Sequence, residues 1–123
     1  MLAAANSAVC GVTAEAASQL HGGIDTVFVD IRDVRELERE GMIPGAFHCP
    51  RGMLEFWAHP QSPYFKPEFA TDKTYLLYCA SGWRSALGAK SLLDMGMDNV
   101  AHLSGGFSAW REAGGATTDR PKR

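Results

Sequence analysis

The residues best placed to do chemistry form one short run, Cys79-Ala80-Ser81-Gly82-Trp83-Arg84-Ser85, directly after the apolar stretch Thr74 to Tyr78. That stretch is β-rich and apolar without alternation, so it reads as a strand buried on both faces, the mark of a parallel sheet. Beyond the run the apolar period changes. Ala86, Ala89, Leu92 and Leu93 recur at helical spacing while Lys90, Ser91 and Asp94 turn away, which predicts a helix from about Ser85 to just before Gly96. Cys79 then faces a helix N-terminus, where unpaired N–H groups and the positive end of the helix dipole favour an anion such as a thiolate. Gly82 permits the positive φ that a tight cradle of inward N–H groups needs, and Arg84 adds a permanent charge with a planar fork of donors. Cys79 is therefore expected to be a reactive, low-pKa thiol and not an inert core cysteine.

A lowered pKa is only part of what such a loop supplies. An ordinary thiol with a pKa of about 8.5 is about 3% thiolate at pH 7, and a pKa of about 6.5 raises that to about 75%. Because nucleophilicity falls with basicity, roughly eightfold of this 25-fold gain is lost, leaving about a threefold advantage. The larger contribution is expected from N–H groups and Arg84 that bind an anionic donor and receive charge in a fixed arrangement, as oxyanion holes do.

The other elements follow from the same patterns. Val9 to Val12 reads as a first strand, and Thr13 as the N-cap of a helix carrying Ala14, Ala17, Leu20 and His21 on one face, ended by Gly22-Gly23. His21 reads as a helix-end residue with no chemical role. Thr26 to Ile31 is a second buried strand, with Asp30 and Arg32 at the end where an open α/β sheet places its ligand crevice. The two are read as an ion pair holding the next loop, supporting and not catalytic. Asp33 caps a short helix with Val34 and Leu37 inward and a solvated face of Arg35, Glu36, Glu38, Arg39 and Glu40, stopped by Gly41. Pro44-Gly45 turns into a short strand, Ala46 to Cys49, halted by Pro50. Adjacent strand residues point to opposite faces, so His48 and Cys49 cannot act on one substrate, and Cys49 reads as a core thiol.

Gly52 to His59 reads as a helical turn. In the Pro-rich segment around it, Trp57, Tyr64 or Phe65 is expected to shape the pocket mouth, with packing of a satellite core as the alternative. Val100 to Leu103 is the last strand, and Ser104-Gly105-Gly106 turns into a short helix with Phe107 and Trp110 inward before Gly114-Gly115 ends the fold. The glycine pair reads as a tight turn, since no Gly-x-x-x-x-Gly-Lys-Ser/Thr phosphate loop is present.

With 123 residues the chain suits one domain, here residues 9–116, with an N-terminal extension at 1–8 and a flexible tail at 117–123. A net charge of -2 with both signs interspersed argues against nucleic-acid binding and for a small-molecule or protein partner. Three widely spaced cysteines argue against a disulfide framework and for a reducing compartment, and the absence of close Cys or His pairs argues against a metal site. The first residues lack the basic start and apolar core of a signal peptide, and no membrane span appears, so a cytoplasmic location is expected.

The Cys79 to Ser85 run resembles the active-site loop of single-domain rhodaneses, the thiosulfate sulfurtransferases, in the Cys-x-x-Gly-x-Arg-Ser form. Val29-Asp30-Ile31-Arg32 with Glu36 and Gly41-Met42-Ile43-Pro44-Gly45-Ala46-Phe47-His48 is similar to the family's amino-terminal signature, and Leu103-Ser104-Gly105-Gly106-Phe107 with Trp110 to its carboxy-terminal one. The resemblance implies a three-layer α/β fold, a mostly parallel central sheet of about five strands with helices on both faces. It implies ping-pong transfer of sulfane sulfur through a Cys79 persulfide, with Ala80, Ser81, Gly82, Trp83, Arg84 and Ser85 around the donor and no separate cofactor. Donor and acceptor would be thiosulfate or a related molecule, and cyanide, a thiol or a protein. Ser85 is expected to cap the helix more than to contact the donor. The loop departs from that of the large two-domain rhodaneses, where further basic residues flank the cysteine; here Ala80 and Ser81 stand there. The alternatives are a sulfur-carrier or regulatory binding module, and a phosphatase of the same fold. Phosphatases place five residues between Cys and Arg, whereas four stand here.

Overall fold

The β-branched and aromatic runs identified above assemble into one sheet in the computed structural model, which describes residues 9–119. In chain order the elements are β1 (Cys10–Val12), α1 (Ala14–Leu20), β2 (Thr26–Asp30), α2 (Val34–Glu40), β3 (Phe47–His48), α3 (Leu54–Ala58), β4 (Thr74–Tyr78), α4 (Trp83–Asp94), β5 (Val100–Leu103) and α5 (Gly106–Glu112). Short 3-10 turns at Arg51–Met53 and Pro67–Phe69 precede α3 and β4. The strands lie in the order β1-β5-β4-β2-β3. Every pairing is parallel, so the sheet expected to be mostly parallel is wholly so. The fold is the expected α/β one.

Alternation along β4 divides the interior into two cores. Tyr75 and Leu77 join Val29, Ile31, Leu54, Ala89, Leu92 and Cys79 on one face, under α3 and α4. Leu76 and Tyr78 join Ala17, Phe28, Leu103, Phe107 and Trp110 on the other, under α1 and α5. Helices on both faces of a parallel sheet make three layers.

Capping follows the sequence closely at two helices. Thr13 Oγ1 accepts the Ala16 N–H at 3.2 Å, and Asp33 and Glu36 form a reciprocal capping box on α2. Two expected inward residues are instead exposed, Leu20 and Val34, because helices of seven residues bury only a narrow stripe, here Ala14 and Ala17 in α1 and Leu37 in α2. At the other end of the chain, Thr118 exchanges two 2.8 Å backbone hydrogen bonds with Met42, beyond the boundary drawn at residue 116. Residues 1–8 and 120–123, which hold the expected extension and most of the tail, lie outside the described residues.

The start of α5 is pressed onto the loop after β4. The Phe107 N–H donates to the Cys79 carbonyl at 2.8 Å and the Ser108 N–H to the Ala80 carbonyl at 3.1 Å. This approach requires Gly106, where φ is +63° and a Cβ would strike the Cys79 oxygen and lie 2.7 Å from the Ala80 carbonyl carbon. Gly45 is a natural control, since its φ is also positive but nothing lies within 4 Å of a Cβ there. Gly106→Ala is expected to cost roughly 3 kcal/mol and Gly45→Ala about 1 kcal/mol. Urea unfolding of both variants checks this; equal losses would show that backbone conformation, and not the approach of α5, sets the requirement.

Candidate active site

Cys79 leaves the carboxyl end of β4, and the chain reverses through Ala80 and Ser81 before Gly82, at φ +100°, occupies the N-cap of α4. A left-handed N-cap starts the helix at Trp83, two residues earlier than its apolar period suggested, so Trp83, Arg84 and Ser85 form its first turn. Ser85 is therefore not the cap that was expected. Gly82 holds that place without a side chain.

The sulfur lies inside this turn. Cys79 is 1% exposed, and its Sγ accepts the Gly82 N–H at 3.1 Å, with the Ser85 hydroxyl 3.7 Å away. Burial by itself raises the thiol pKa, but hydrogen bonds from Ser85, backbone and side chain, and from the Ser81 and Gly82 backbone outweigh it and hold the pKa below the ordinary value. Cys49 has no such donors. It is fully buried, and desolvation pushes its thiol up to about 12, so it is protonated at neutral pH.

Around the sulfur the loop residues point different ways. Ser81 and Trp83 are exposed, Ala80 is half-buried, and Gly82 and Ser85 are buried. Arg84 does not face solvent as a free cation. Its Nη1 and Nη2 donate to the two carboxylate oxygens of Glu36 at 2.7 and 3.0 Å. The Asp33 N–H also donates to Glu36 Oε1, at 3.0 Å, so the carboxylate is held from both sides. The solvated charge face expected on α2 thus loses Glu36 to the site. The Arg84 hydrogen bond holds the Glu36 carboxyl below its usual range. The stability this gives is present above the ordinary carboxylate pKa and lost as pH falls through the lowered value.

Asp30 and Arg32 sit behind the loop. Both are fully buried, and Arg32 Nε and Nη2 donate to the Asp30 carboxylate at 3.0 and 2.7 Å. Nη2 also donates to the Gly41 carbonyl at 2.8 Å, and the guanidinium lies 4.3 Å from the Phe107 ring centroid. The pair braces the loop after α2 and the helix that presses on Cys79; the remaining Arg32 nitrogen, Nη1, has no hydrogen-bond partner.

The aromatic segment lies elsewhere. Trp57 packs on Phe47 and, with Phe65, against the core under α3 and α4, while Tyr64 meets Phe56 edge-on. A groove of about 320 Å³ lined by Glu55, Phe56, His59, Gln61, Ser62, Pro63 and Met95 opens at the carboxyl end of α4, roughly 18 Å along that helix from the Cys79 turn. The expected pocket mouth is thus a satellite core and a remote groove. Its aromatics satisfy the apolar face of α3, five residues long, that the sheet alone does not cover.

One residue at the site carried no expectation. His102 stands in β5 across from Leu77, is 5% exposed, and places Nδ1 3.1 Å from the Ser85 hydroxyl. An imidazole among Val100, Ala101 and Leu103 was the available signal, because a buried polar group must find a partner. Among the described residues no group of three or more His, Cys, Asp or Glu side chains could hold a metal, and no helix is long and apolar enough to cross a membrane.

The family model for the rhodanese-like domain matches residues 13–113. The chain belongs to the rhodanese family. It is 34% identical over 88 residues to an uncharacterized protein of Synechocystis, covering 72% of this chain and 44% of the relative, so it spans less than half the length of that curated relative. A Rhodopseudomonas palustris protein of unknown function, described as a possible tyrosine phosphatase, superposes with a TM-score of 0.93 at 57% identity, over 95% of this chain and 90% of that one. The fold is also that of a Pseudomonas aeruginosa thiosulfate sulfurtransferase, with a TM-score of 0.74 at 22% identity over 90% of this chain and 19% of that one.

The contrast between the two buried thiols is directly measurable. Iodoacetamide at neutral pH is expected to modify Cys79 and the exposed Cys10 and to spare Cys49 in the folded protein. Peptide mass mapping over time checks it, and labelling of Cys49 as fast as Cys79 would contradict the difference assigned to their surroundings.

Proposed function

We propose that the protein is a sulfurtransferase that carries sulfane sulfur on Cys79. The observation that carries this reading is the Cys79 sulfur itself, buried at the start of a 12-residue helix and accepting the Gly82 N–H at 3.1 Å. Burial removes water from this sulfur while the loop's donors favour its ionised form, the condition a sulfur nucleophile needs. In the first half-reaction the thiolate attacks the outer sulfur of thiosulfate; the S–S bond to the sulfonate breaks and its electron pair leaves with sulfite. A cysteine persulfide remains. In the second, cyanide or another thiophile attacks the outer persulfide sulfur, and the electron pair returns to Cys79. No cofactor besides the persulfide is needed. The proposed setting is a reducing one such as the cytoplasm, in keeping with three free cysteines.

The Arg84–Glu36 pair favours a particular version of this function. Thiolate, guanidinium and carboxylate together sum to one negative charge, and Ala80 and Ser81 supply no cation, so a dianionic donor gains little from the loop. A donor bearing less charge at its sulfur, such as a thiol persulfide or a sulfur carried by a partner protein, suits it better. In that version the domain is chiefly a sulfur carrier. The phosphatase alternative would ask this same loop, with four residues between Cys79 and Arg84, to surround a tetrahedral dianion while Glu36 already neutralises Arg84.

Intact and peptide mass after incubation with thiosulfate tests the proposal. One added sulfur atom on Cys79, removed by cyanide and absent in Cys79→Ser, is expected. Sulfur on Cys10 or Cys49 with Cys79 unmodified would overturn it, as would Cys79-dependent hydrolysis of a small aryl phosphate. Glu36→Gln, which removes a charge and loosens Arg84, is expected to lower KM for thiosulfate about fivefold; an unchanged KM would show that the pair does not limit dianionic donors.

A further inference from the structure

His102 is linked to Cys79 through a single hydroxyl. Ser85 Oγ lies 3.1 Å from His102 Nδ1, 3.7 Å from Cys79 Sγ and 3.2 Å from the Gly82 carbonyl. The hydroxyl has one proton and these three neighbours, so what the imidazole does at Nδ1 decides where that proton points. If Nδ1 is unprotonated it draws the Ser85 proton to itself. With Nδ1 protonated, the imidazole donates to Ser85 Oγ, and the Ser85 proton is left for the sulfur or for the Gly82 carbonyl.

We propose that His102 is a positioning residue for the nucleophile: in its Nδ1–H form it donates to Ser85 Oγ and so commits the Ser85 hydroxyl to the Cys79 thiolate. The sulfur anion then has a side-chain donor beside the Gly82 N–H. When sulfur is loaded, the negative charge moves to the outer persulfide atom, and the hydroxyl can turn to the Gly82 carbonyl 3.2 Å away. The same hydroxyl therefore serves both states of the cysteine.

The surroundings suit a neutral imidazole in this role. His102 lies between Leu77 of β4 and Gly11 of β1, neither of which carries charge, and burial alone lowers its pKa. The charged groups that face the sulfur are Arg84 of α4 and, bound to it, Glu36 of α2. Neither is touched by changes at His102 or Ser85, so a shift in Cys79 titration in those variants reports on this link.

The inference rests on Cys79 being the reacting group, as in the function proposed above, but its readout is thiol alkylation, which needs no sulfur donor or acceptor. The rate of Cys79 alkylation by iodoacetamide is followed against pH in a Cys10→Ser background. His102→Leu, which removes the donor, is expected to move the midpoint up by about one pH unit, and Ser85→Ala by a similar amount. The double variant should shift no further than either single one. His102→Asn, whose amide nitrogen can replace Nδ1 as a donor, should restore most of the wild-type profile. A folded His102→Leu variant with the wild-type midpoint would overturn the proposal, as would the same His102→Leu shift in the Ser85→Ala background. Should His102→Leu fail to fold, nitrogen NMR of the unaltered protein decides: a proton on Nδ1 when Cys79 is ionised supports the link, and an unprotonated Nδ1 refutes it.

Discussion

A sulfur atom in a residue that is 1% exposed has no water to stabilise it as an anion, so every donor it uses must come from the chain. Much of the fold around β4 supplies that condition. Gly82 turns its N–H inward only at a left-handed φ, and that same conformation starts α4 immediately afterwards, so the first turn of the helix surrounds the sulfur. The loop is held from behind because Phe107 donates to the Cys79 carbonyl, and Phe107 is itself packed against the buried Arg32–Asp30 pair. A cation, a ring and a backbone hydrogen bond thus run in one continuous line from the end of β2 to the Cys79 carbonyl. Gly106 is part of it, since a Cβ there would strike the Cys79 carbonyl oxygen and hold α5 away.

The loop's electrostatics are more local than its basic residue suggests. Arg84 is paired with a carboxylate from α2 as well as facing the Cys79 sulfur, and that carboxylate accepts the Asp33 N–H. The site therefore offers a sulfur anion backbone dipoles more than net positive charge. Such an arrangement is short-ranged: it stabilises charge already at the sulfur and does little to draw a dianion from solution.

Some of this was legible in the residues. Thr74 to Tyr78 could only be a doubly buried strand, Gly82 after it could only be a special backbone position, and Asp30 and Arg32 two apart at a strand end are within reach of each other whatever surrounds them. What escaped were partners far along the chain. Glu36 is 48 residues from Arg84, and a local charge pattern reads as solvated until the Arg84–Glu36 pair between α2 and α4 is known. The Asp33-x-x-Glu36 capping box was a hint that this side chain turns back. His102 is 17 residues from Ser85, and their meeting depends on β5 lying next to β4, which strand order decides and local period does not. For Trp57, Tyr64 and Phe65, pocket mouth and satellite core are both open from local pattern; Trp57 and Phe65 take the core, against α3 and the sheet, while Tyr64 is exposed.

Backbone and hydroxyl donors hold the Cys79 thiol below its ordinary pKa even though burial pushes it up. Ultraviolet thiolate absorbance of the folded protein against pH, with the same titration of Cys79→Ser subtracted, measures this directly. A midpoint below the ordinary thiol value of about 8.5 is expected. A midpoint at or above that value in the folded protein would contradict it, because burial would then outweigh every donor the loop provides.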